Sequence, residues 1–226
     1  MVKKKEKLKV YLFRHGQTYY NKKGYFTGWK DSELTPKGIQ NAKTIAKKLK
    51  NKKFQVAIYT KLSRSKDTLK YVLKYHPECK KVLEKNQMIE RSYGNLEGQK
   101  HDTFIEKLGK KAYDLRVEGD AIENLSPAKR KKVEKFLGTE EYDIIHRGWN
   151  TPPPGGESFA MVEKRVKVFI KWLKKYMKEH KVSVAISAHG NSIRLFRYIV
   201  EKTSIPETVK WFIPYDKVFT YDVNDL

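Results

Sequence analysis

Short apolar runs that favour β-strands alternate with amphipathic helical segments along most of this chain. The runs at 8–13, 54–59 and 182–186 are each followed, after a polar stretch, by apolar residues at helical spacing. Because the apolar residues of these runs do not alternate strictly with polar ones, we expect strands buried on both faces. The pattern predicts an α/β fold, a three-layer α/β/α sandwich around a mostly parallel sheet.

Local signals indicate where the other predicted elements lie. Thr35-Pro36 puts a capping threonine before a proline, so a helix should begin at Pro36. Residues 102–145 have a mostly helical pattern and form an insertion in what we expect to be one domain spanning 1–226. The remaining predictions are helices at 63–75, 158–178 and 191–202, an edge strand at Val82-Leu83 and a last strand at 218–223.

Polar motifs follow the three predicted core strands. Arg14-His15-Gly16 ends the first strand, Arg64 comes shortly after the second, and His189-Gly190-Asn191 follows the third and opens a helix. Ligands of such folds bind beyond the carboxyl ends of the strands. We therefore expect two histidines and two arginines to meet in one cleft.

These side chains suit phosphate chemistry. A guanidinium can grip phosphoryl oxygens with two hydrogen bonds, and a neutral imidazole can attack phosphorus to form a phosphohistidine. A carboxylic acid is still needed to protonate the leaving oxygen, and Glu90 is the first candidate, with Glu97 the second. Glycine at positions 16 and 190 would let the phosphate approach the backbone closely.

The net charge of +23 would suit acidic small molecules, nucleic acid or anionic lipid. Most lysines flank apolar elements, which favours a solvated surface, and we expect the basic run at 129–132 to be one solvated helix face. The sequence has no recognised nucleic-acid module. Nucleic-acid binding on the same scaffold is therefore a remote alternative.

Other features bear on location. The chain has no run of 18 apolar residues, so we expect no membrane span, and its charged start is not followed by a signal-peptide core. The single cysteine, Cys79, excludes an intrachain disulfide. These features predict a cytoplasmic protein.

The motifs resemble the histidine phosphatase superfamily, in particular its cofactor-dependent phosphoglycerate mutase branch, over most of the chain outside about 102–143. The resemblance implies a phosphoglycerate mutase-like fold and no metal. It implies that His15 is the phosphorylated histidine and Glu90 the general acid in Glu90-Arg91-Ser92-Tyr93-Gly94. It matches Arg14 and Arg64 to the two phosphate-gripping arginines and His189 to the second histidine.

Further segments look like the mutase branch. Phe26-Thr27-Gly28-Trp29 and "HRGWNTPPP" are similar to its substrate-contacting segments, although His146 stands where the branch has the first of two arginines. The branch also has a lysine after the acid motif, where this chain has Lys100 one position early and His101 at the matching position. The resemblance implies substrate binding by Asn21, Thr27, Gly28, Tyr93, Lys100, Arg147, Gly190 and Asn191.

The leading hypothesis is a glycolytic mutase that interconverts 2- and 3-phosphoglycerate through phospho-His15, primed by 2,3-bisphosphoglycerate. A broad-specificity phosphomonoester phosphatase with the same first step is the alternative. Because the sequence stops just after its last strand, where mutases carry a closing tail, the closing segment is missing unless the 102–145 insertion takes its place. Apolar residues at helical spacing would let the insertion pack as a lid: Leu125, Val133, Phe136 and Leu137. The expected partner is a small phosphorylated carboxylate, a homo-oligomer is compatible with the sequence, and the physiological substrate stays open.

Overall fold

The computed structural model describes residues 7–116 and 125–226, which form a five-stranded sheet with helices on both faces. The strands are β1 (Lys9–Arg14), β2 (Val56–Tyr59), β3 (Lys81–Glu84), β4 (Val184–Ala188) and β5 (Val218–Asp222). Their order in the sheet is β3-β2-β4-β1-β5, and only β5 runs antiparallel to its neighbour. The predicted α/β sandwich is confirmed.

The helices follow the predicted boundaries closely. Thr35 Oγ1 accepts a hydrogen bond from the Gly38 N–H at 3.0 Å, and Pro36 begins its helix as predicted. We recognised no sequence signal for four short elements: the helices α1 (Tyr19–Lys23) and α8 (Ile205–Lys210) and the 3₁₀ turns Asn86–Met88 and Gly94–Leu96. The α-helices are α1 (Tyr19–Lys23), α2 (Pro36–Leu49), α3 (Ser63–Leu73), α4 (His101–Arg116), α5 (Pro127–Arg147), α6 (Phe159–His180), α7 (Gly190–Glu201) and α8 (Ile205–Lys210).

Each face of the sheet carries its own apolar core. Val10 and Leu12 of β1 pack with the α6 and α7 side, whereas Tyr11 and Phe13 pack with α2 and α3. Side chains alternate along a strand, so a strand covered by helices on both faces must be apolar throughout. This explains why the core strands read as continuous apolar runs.

Helices α4 and α5 pack against each other in the predicted insertion, of which 117–124 lie outside the described residues. A Cβ added at Gly109 would lie 1.9 Å from Glu134 O, and one at Gly138 would lie 2.0 Å from Ile105 O, so the two backbones nearly touch. Leu137 packs with Ala112 and Tyr113, with Leu125 and Val133 beside them. Phe136 is 63% exposed, and the lid role of the insertion stays a prediction.

Within the described ranges, no helix is long and apolar enough to cross a membrane.

Candidate active site

His15 and His189 meet at the carboxyl ends of β1 and β4, with ring centroids 5.0 Å apart. Burial, followed by the charges of Arg64 and Arg14, holds the pKa of His15 well below its usual value, so the ring is neutral. His15 Nδ1 lies 2.7 Å from Gly16 O, and a carbonyl oxygen can only accept. Nδ1 therefore carries the hydrogen, and Nε2 keeps its lone pair.

His189 is fixed by a residue that the sequence motifs did not include. Thr60, directly after β2, has its Oγ1 2.7 Å from His189 Nε2. The Thr60 N–H in turn donates to Ser65 Oγ at 3.1 Å. Burial and the neighbouring cationic Arg64 lower the pKa of His189 as well. The end of β2 was already expected to face the site, so the position of Thr60 in the sequence indicated that it lies near the histidines.

Arg64, at the start of α3, is only 1% exposed and is held by the loop that contains Gly28 and Lys30. Its Nη1 donates to Lys30 O at 2.9 Å and its Nη2 to Gly28 O at 2.7 Å. Gly28 has φ of 49°, a left-handed conformation that suits glycine. Burial lowers the pKa of Arg64 to about 10, which leaves it charged at neutral pH.

Arg14 is half-buried and is held by the segment before β5. Its Nη1 donates to Ile213 O at 2.9 Å, and its Cζ lies 4.1 Å from the centre of the Tyr215 ring. Tyr215 also lies 6.4 Å from His15, ring to ring. Ile213 and Tyr215 therefore lie against Arg14, and the Tyr215 ring also lies near His15. Neither Ile213 nor Tyr215 belongs to a motif that the sequence revealed.

Glu90 is close to the start of α7. Its Oε1 accepts hydrogen bonds from the Arg91 N–H at 2.8 Å and the Asn191 N–H at 3.0 Å. Its main-chain carbonyl accepts from Trp29 Nε1 at 2.8 Å and from Arg165 Nη2 at 3.0 Å. Trp29 and Arg165 thus position the Glu90 backbone. Arg165, on α6, also pairs with the Glu157 carboxylate, and it was missed because its contacts with the Glu90 loop are to main-chain carbonyls.

Glu97, the second acid candidate, is occupied elsewhere. Its Oε1 accepts from the N–H groups of Trp29 at 2.9 Å and Tyr93 at 3.0 Å, and its Oε2 accepts from the Lys30 N–H at 3.1 Å. It ties two loops together and does not line the cavity. Gly16 was expected to let the phosphate approach the backbone. In the structure, glycine at this position permits close packing against α2, because a Cβ there would lie 2.2 Å from Gly38 O.

A cavity of about 190 Å³ opens beside these groups. His15, Arg64 and His189 do not line it and are at most 1% exposed, so they are covered in this structure. Lys100 is exposed and outside the lining, whereas His101 lines it. The predicted residues in the lining are Arg14, Asn21, Thr27, Gly28, Glu90, Tyr93, Arg147, Gly190 and Asn191, and the others are Tyr25, Phe26, His101, His146, Arg194, Phe212 and Ile213.

A second pair of arginines, Arg147 and Arg194, lines the same cavity. Arg147 Nη1 donates to Val209 O at 3.1 Å, and Arg194 donates to Asn191 Oδ1 and to Trp211 O. Burial lowers the pKa of Arg194 to about 10, so it also stays charged at neutral pH. Arg194 was missed in the sequence, although it follows Asn191 by about one helical turn.

Several buried guanidinium nitrogens have no hydrogen-bond partner within the described ranges: Nε of Arg14, Arg64, Arg91 and Arg194, and Nη1 of Arg91. Buried N–H groups of this kind are costly unless a ligand pairs with them. Within residues 7–116 and 125–226, no group of three or more His, Cys, Asp or Glu side chains is placed to hold a metal ion. The unpartnered guanidinium groups suit an anionic ligand.

Sequence comparison identifies the family. The profile of the histidine phosphatase superfamily (branch 1) matches residues 10–135 and 128–223. The chain belongs to this superfamily. It is an enzyme of the phosphoglycerate mutase or related histidine phosphatase type.

Two curated relatives of this histidine phosphatase carry the same name. The 2,3-bisphosphoglycerate-dependent phosphoglycerate mutase of Parvibaculum lavamentivorans is 31% identical over 219 residues, which cover 95% of this chain and 90% of the relative. The protein of the same name from Buchnera aphidicola subsp. Schizaphis graminum is 34% identical over 212 residues, covering 91% and 89%.

Solved structures share the fold under different names. A phosphoglycerate mutase from Bacillus anthracis superposes with a TM-score of 0.67 at 21% identity, covering 96% of this chain and 88% of that one. An alpha-ribazole phosphatase from Shigella flexneri gives 0.68 at 18% identity, covering 95% and 90%. At these identities the likeness establishes the fold alone.

Proposed function

We propose that this histidine phosphatase is a phosphoglycerate mutase that interconverts 2- and 3-phosphoglycerate through phospho-His15. The observation that carries the proposal is the second arginine pair, Arg147 and Arg194, in the cavity that Arg14 and Glu90 also line. A phosphoglycerate has two anionic groups, and a site with two cationic ends suits both of them. The names of the curated relatives support the same activity.

The chemistry assigned to the first half-reaction uses the covered groups. His15 Nε2 attacks phosphorus, the P–O bond to the substrate breaks, and the leaving oxygen takes a proton from Glu90. Arg14 and Arg64 stabilise the charge on the equatorial phosphoryl oxygens, with His189 beside them. In the second half-reaction the free hydroxyl of a bound phosphoglycerate attacks the phosphorus of phospho-His15, the P–N bond breaks, and the hydroxyl proton returns to Glu90. His15 is 1% exposed in this structure, so the groups around it must move before its Nε2 reaches a substrate.

The site residues fit 2,3-bisphosphoglycerate as a primer. Unpartnered guanidinium nitrogens occur in both cationic pairs, at Arg14 and Arg64 and at Arg194. Arg14 and Arg64 would hold one phosphate, and Arg147 and Arg194 would hold the other. When bound, this compound would supply the phosphoryl group that charges His15.

A broad-specificity phosphatase is the second candidate, and His146 favours it. The resemblance predicts an arginine at this position, but burial and the charges of Arg147 and Arg91 lower the pKa of His146 to about 2, so the ring is uncharged. One cation fewer would hold the non-transferred anion less tightly. Water could then compete better for phospho-His15.

A single assay separates the two candidates. Purified protein is incubated with 3-phosphoglycerate, with and without 2,3-bisphosphoglycerate, and 2-phosphoglycerate and free phosphate are both measured. A mutase makes 2-phosphoglycerate far faster than phosphate, and the bisphosphate accelerates it. Phosphate release without isomerisation would favour the phosphatase and reject the mutase.

A further inference from the structure

One wall of the cavity consists of aromatic and imidazole rings. His146, near the end of α5, is at its centre and stacks on Tyr142 at 4.8 Å with rings 14° from parallel. It also stacks on Tyr93 at 5.9 Å and 12°. Phe26 and His101 complete the cluster through contacts with the same rings. These contacts fix the plane of the His146 imidazole.

His146 differs chemically from the cations next to it. Because its ring is neutral, it has one N–H donor and one lone pair. Arg147 and Arg194, in the same cavity lining, offer N–H donors only. His146 therefore adds a hydrogen-bonding capacity that arginine lacks.

The His146 ring has a hydrogen-bonding atom to spare. Its Nδ1 is buried and has no partner within the described ranges. Such an atom is costly when left unpaired, so a ligand that pairs with the ring gains affinity. A hydroxyl group can both donate and accept, so it pairs with either neutral tautomer of the ring.

We propose that His146 is a specificity-determining residue that hydrogen-bonds a hydroxyl of the substrate, beside the anionic group bound by Arg147 and Arg194. The site then selects phosphorylated hydroxy acids over the same phosphate esters without the hydroxyl. This inference rests on the proposed function, in which the substrate is a phosphoglycerate.

The test compares two ligands by isothermal titration calorimetry: 3-phosphoglycerate and the phosphate ester of 3-hydroxypropanoate, which is the same molecule without the 2-hydroxyl. We expect the parent protein to bind the hydroxyl-bearing ligand on the order of 10-fold more tightly, as one hydrogen bond to a fixed neutral partner predicts. His146→Phe keeps a stacking ring without a hydrogen-bonding atom, so the preference should fall below about twofold.

Tyr142→Phe is the matched control, because it removes a hydroxyl from the same ring cluster but from a residue outside the cavity lining. It should keep the preference of the parent. If His146→Phe does not fold, His146→Met fills the space with a flexible apolar side chain and replaces it in the comparison.

The outcomes separate the inference from the proposed function. A parent that binds both ligands equally, or a His146 variant that keeps the full preference, would overturn the role of His146 alone. A parent that binds neither ligand would reject the phosphoglycerate function and the role of His146 with it.

Discussion

Arg14 and Arg64 differ in what holds them. Arg64 is buried and bonded to two main-chain carbonyls, whereas Arg14 is half-buried and bonded to one. Replacing either by lysine removes the planar fork, so we expect turnover to fall about 100-fold or more in both variants. Only Arg64→Lys should also lower the melting temperature by several degrees, because it breaks the buried bonds to Gly28 and Lys30.

Each of the two variants serves as the control for the other. Initial rates and thermal melts are measured on the same samples. Near-normal turnover in either variant would remove that arginine from the phosphate site. An unchanged melting temperature in Arg64→Lys would mean that its bonds to the loop carry little stability.

The polar motifs allowed much of the candidate site to be predicted from the sequence. Arg14, Gly190 and Asn191 line the cavity, since a strand end and a helix start fix where they lie, and Glu90 of the acid motif lines it from a loop. The position of Thr60 after the second strand placed it near the site, but the sequence could not show that its hydroxyl bonds His189.

Residues held by long-range contacts were equally hidden. Arg165 acts on the main chain of a loop 75 positions away, and Ile213 contributes only a carbonyl oxygen to Arg14. Neither type of contact requires a particular motif. Glu97 was kept as the second acid candidate for a related reason, since the sequence does not show that its carboxylate bonds the main chain of two loops.

The α4–α5 pair forms the part of the site that carries His101 and His146, at the start of one helix and near the end of the other. Gly138→Ala should drive the helices apart, because its Cβ would meet the Ile105 carbonyl. Alanine favours an isolated helix by about 1 kcal/mol over glycine, yet here overpacking should destabilise the fold by about 1–3 kcal/mol.

The measurement is the free energy of unfolding in urea, with Lys135→Ala on the exposed face of α5 as the control. We expect the control to change stability by no more than about 0.5 kcal/mol. A Gly138→Ala protein that is more stable than the parent would show that the two backbones have room to spare.

The strands were predicted well because apolar runs covered on both faces leave little choice, and β5 and the edge strand β3 were also found. The helices α1 and α8 are too short for periodicity to reveal them. The exposure of Phe136 shows the limit of helical spacing, which indicates a shared face but not whether a partner covers it.

Buried neutral histidines should make the whole molecule sensitive to acid. Below about pH 6.5 the unfolded chain takes up a proton at His146, whereas the folded protein does not until its lowered pKa of about 2. Unfolding therefore becomes more favourable as pH falls, and this one residue should cost about 2 kcal/mol of stability between pH 8 and pH 5. His15 and His189 shift in the same direction.

Urea unfolding at pH 8 and pH 5 checks this sign. The loss on acidification should be smaller by about 2 kcal/mol in His146→Phe than in the parent. Tyr142→Phe, at a ring whose pKa burial raises, should behave like the parent. An equal loss in His146→Phe and the parent would mean that His146 binds its proton as readily in the folded state as in the unfolded chain.

Trapping the phosphoenzyme tests directly whether His15 carries the phosphoryl group. Protein charged with 2,3-bisphosphoglycerate labelled in its phosphate groups is quenched, and the labelled residue is identified by mass spectrometry. A parallel sample is chased with unlabelled 3-phosphoglycerate. We expect an acid-labile label on His15 that moves into phosphoglycerate, and no label in His15→Ala. Label retained by His15→Ala, or label found on another residue of the parent, would contradict the assignment of His15 as the group that carries the phosphoryl.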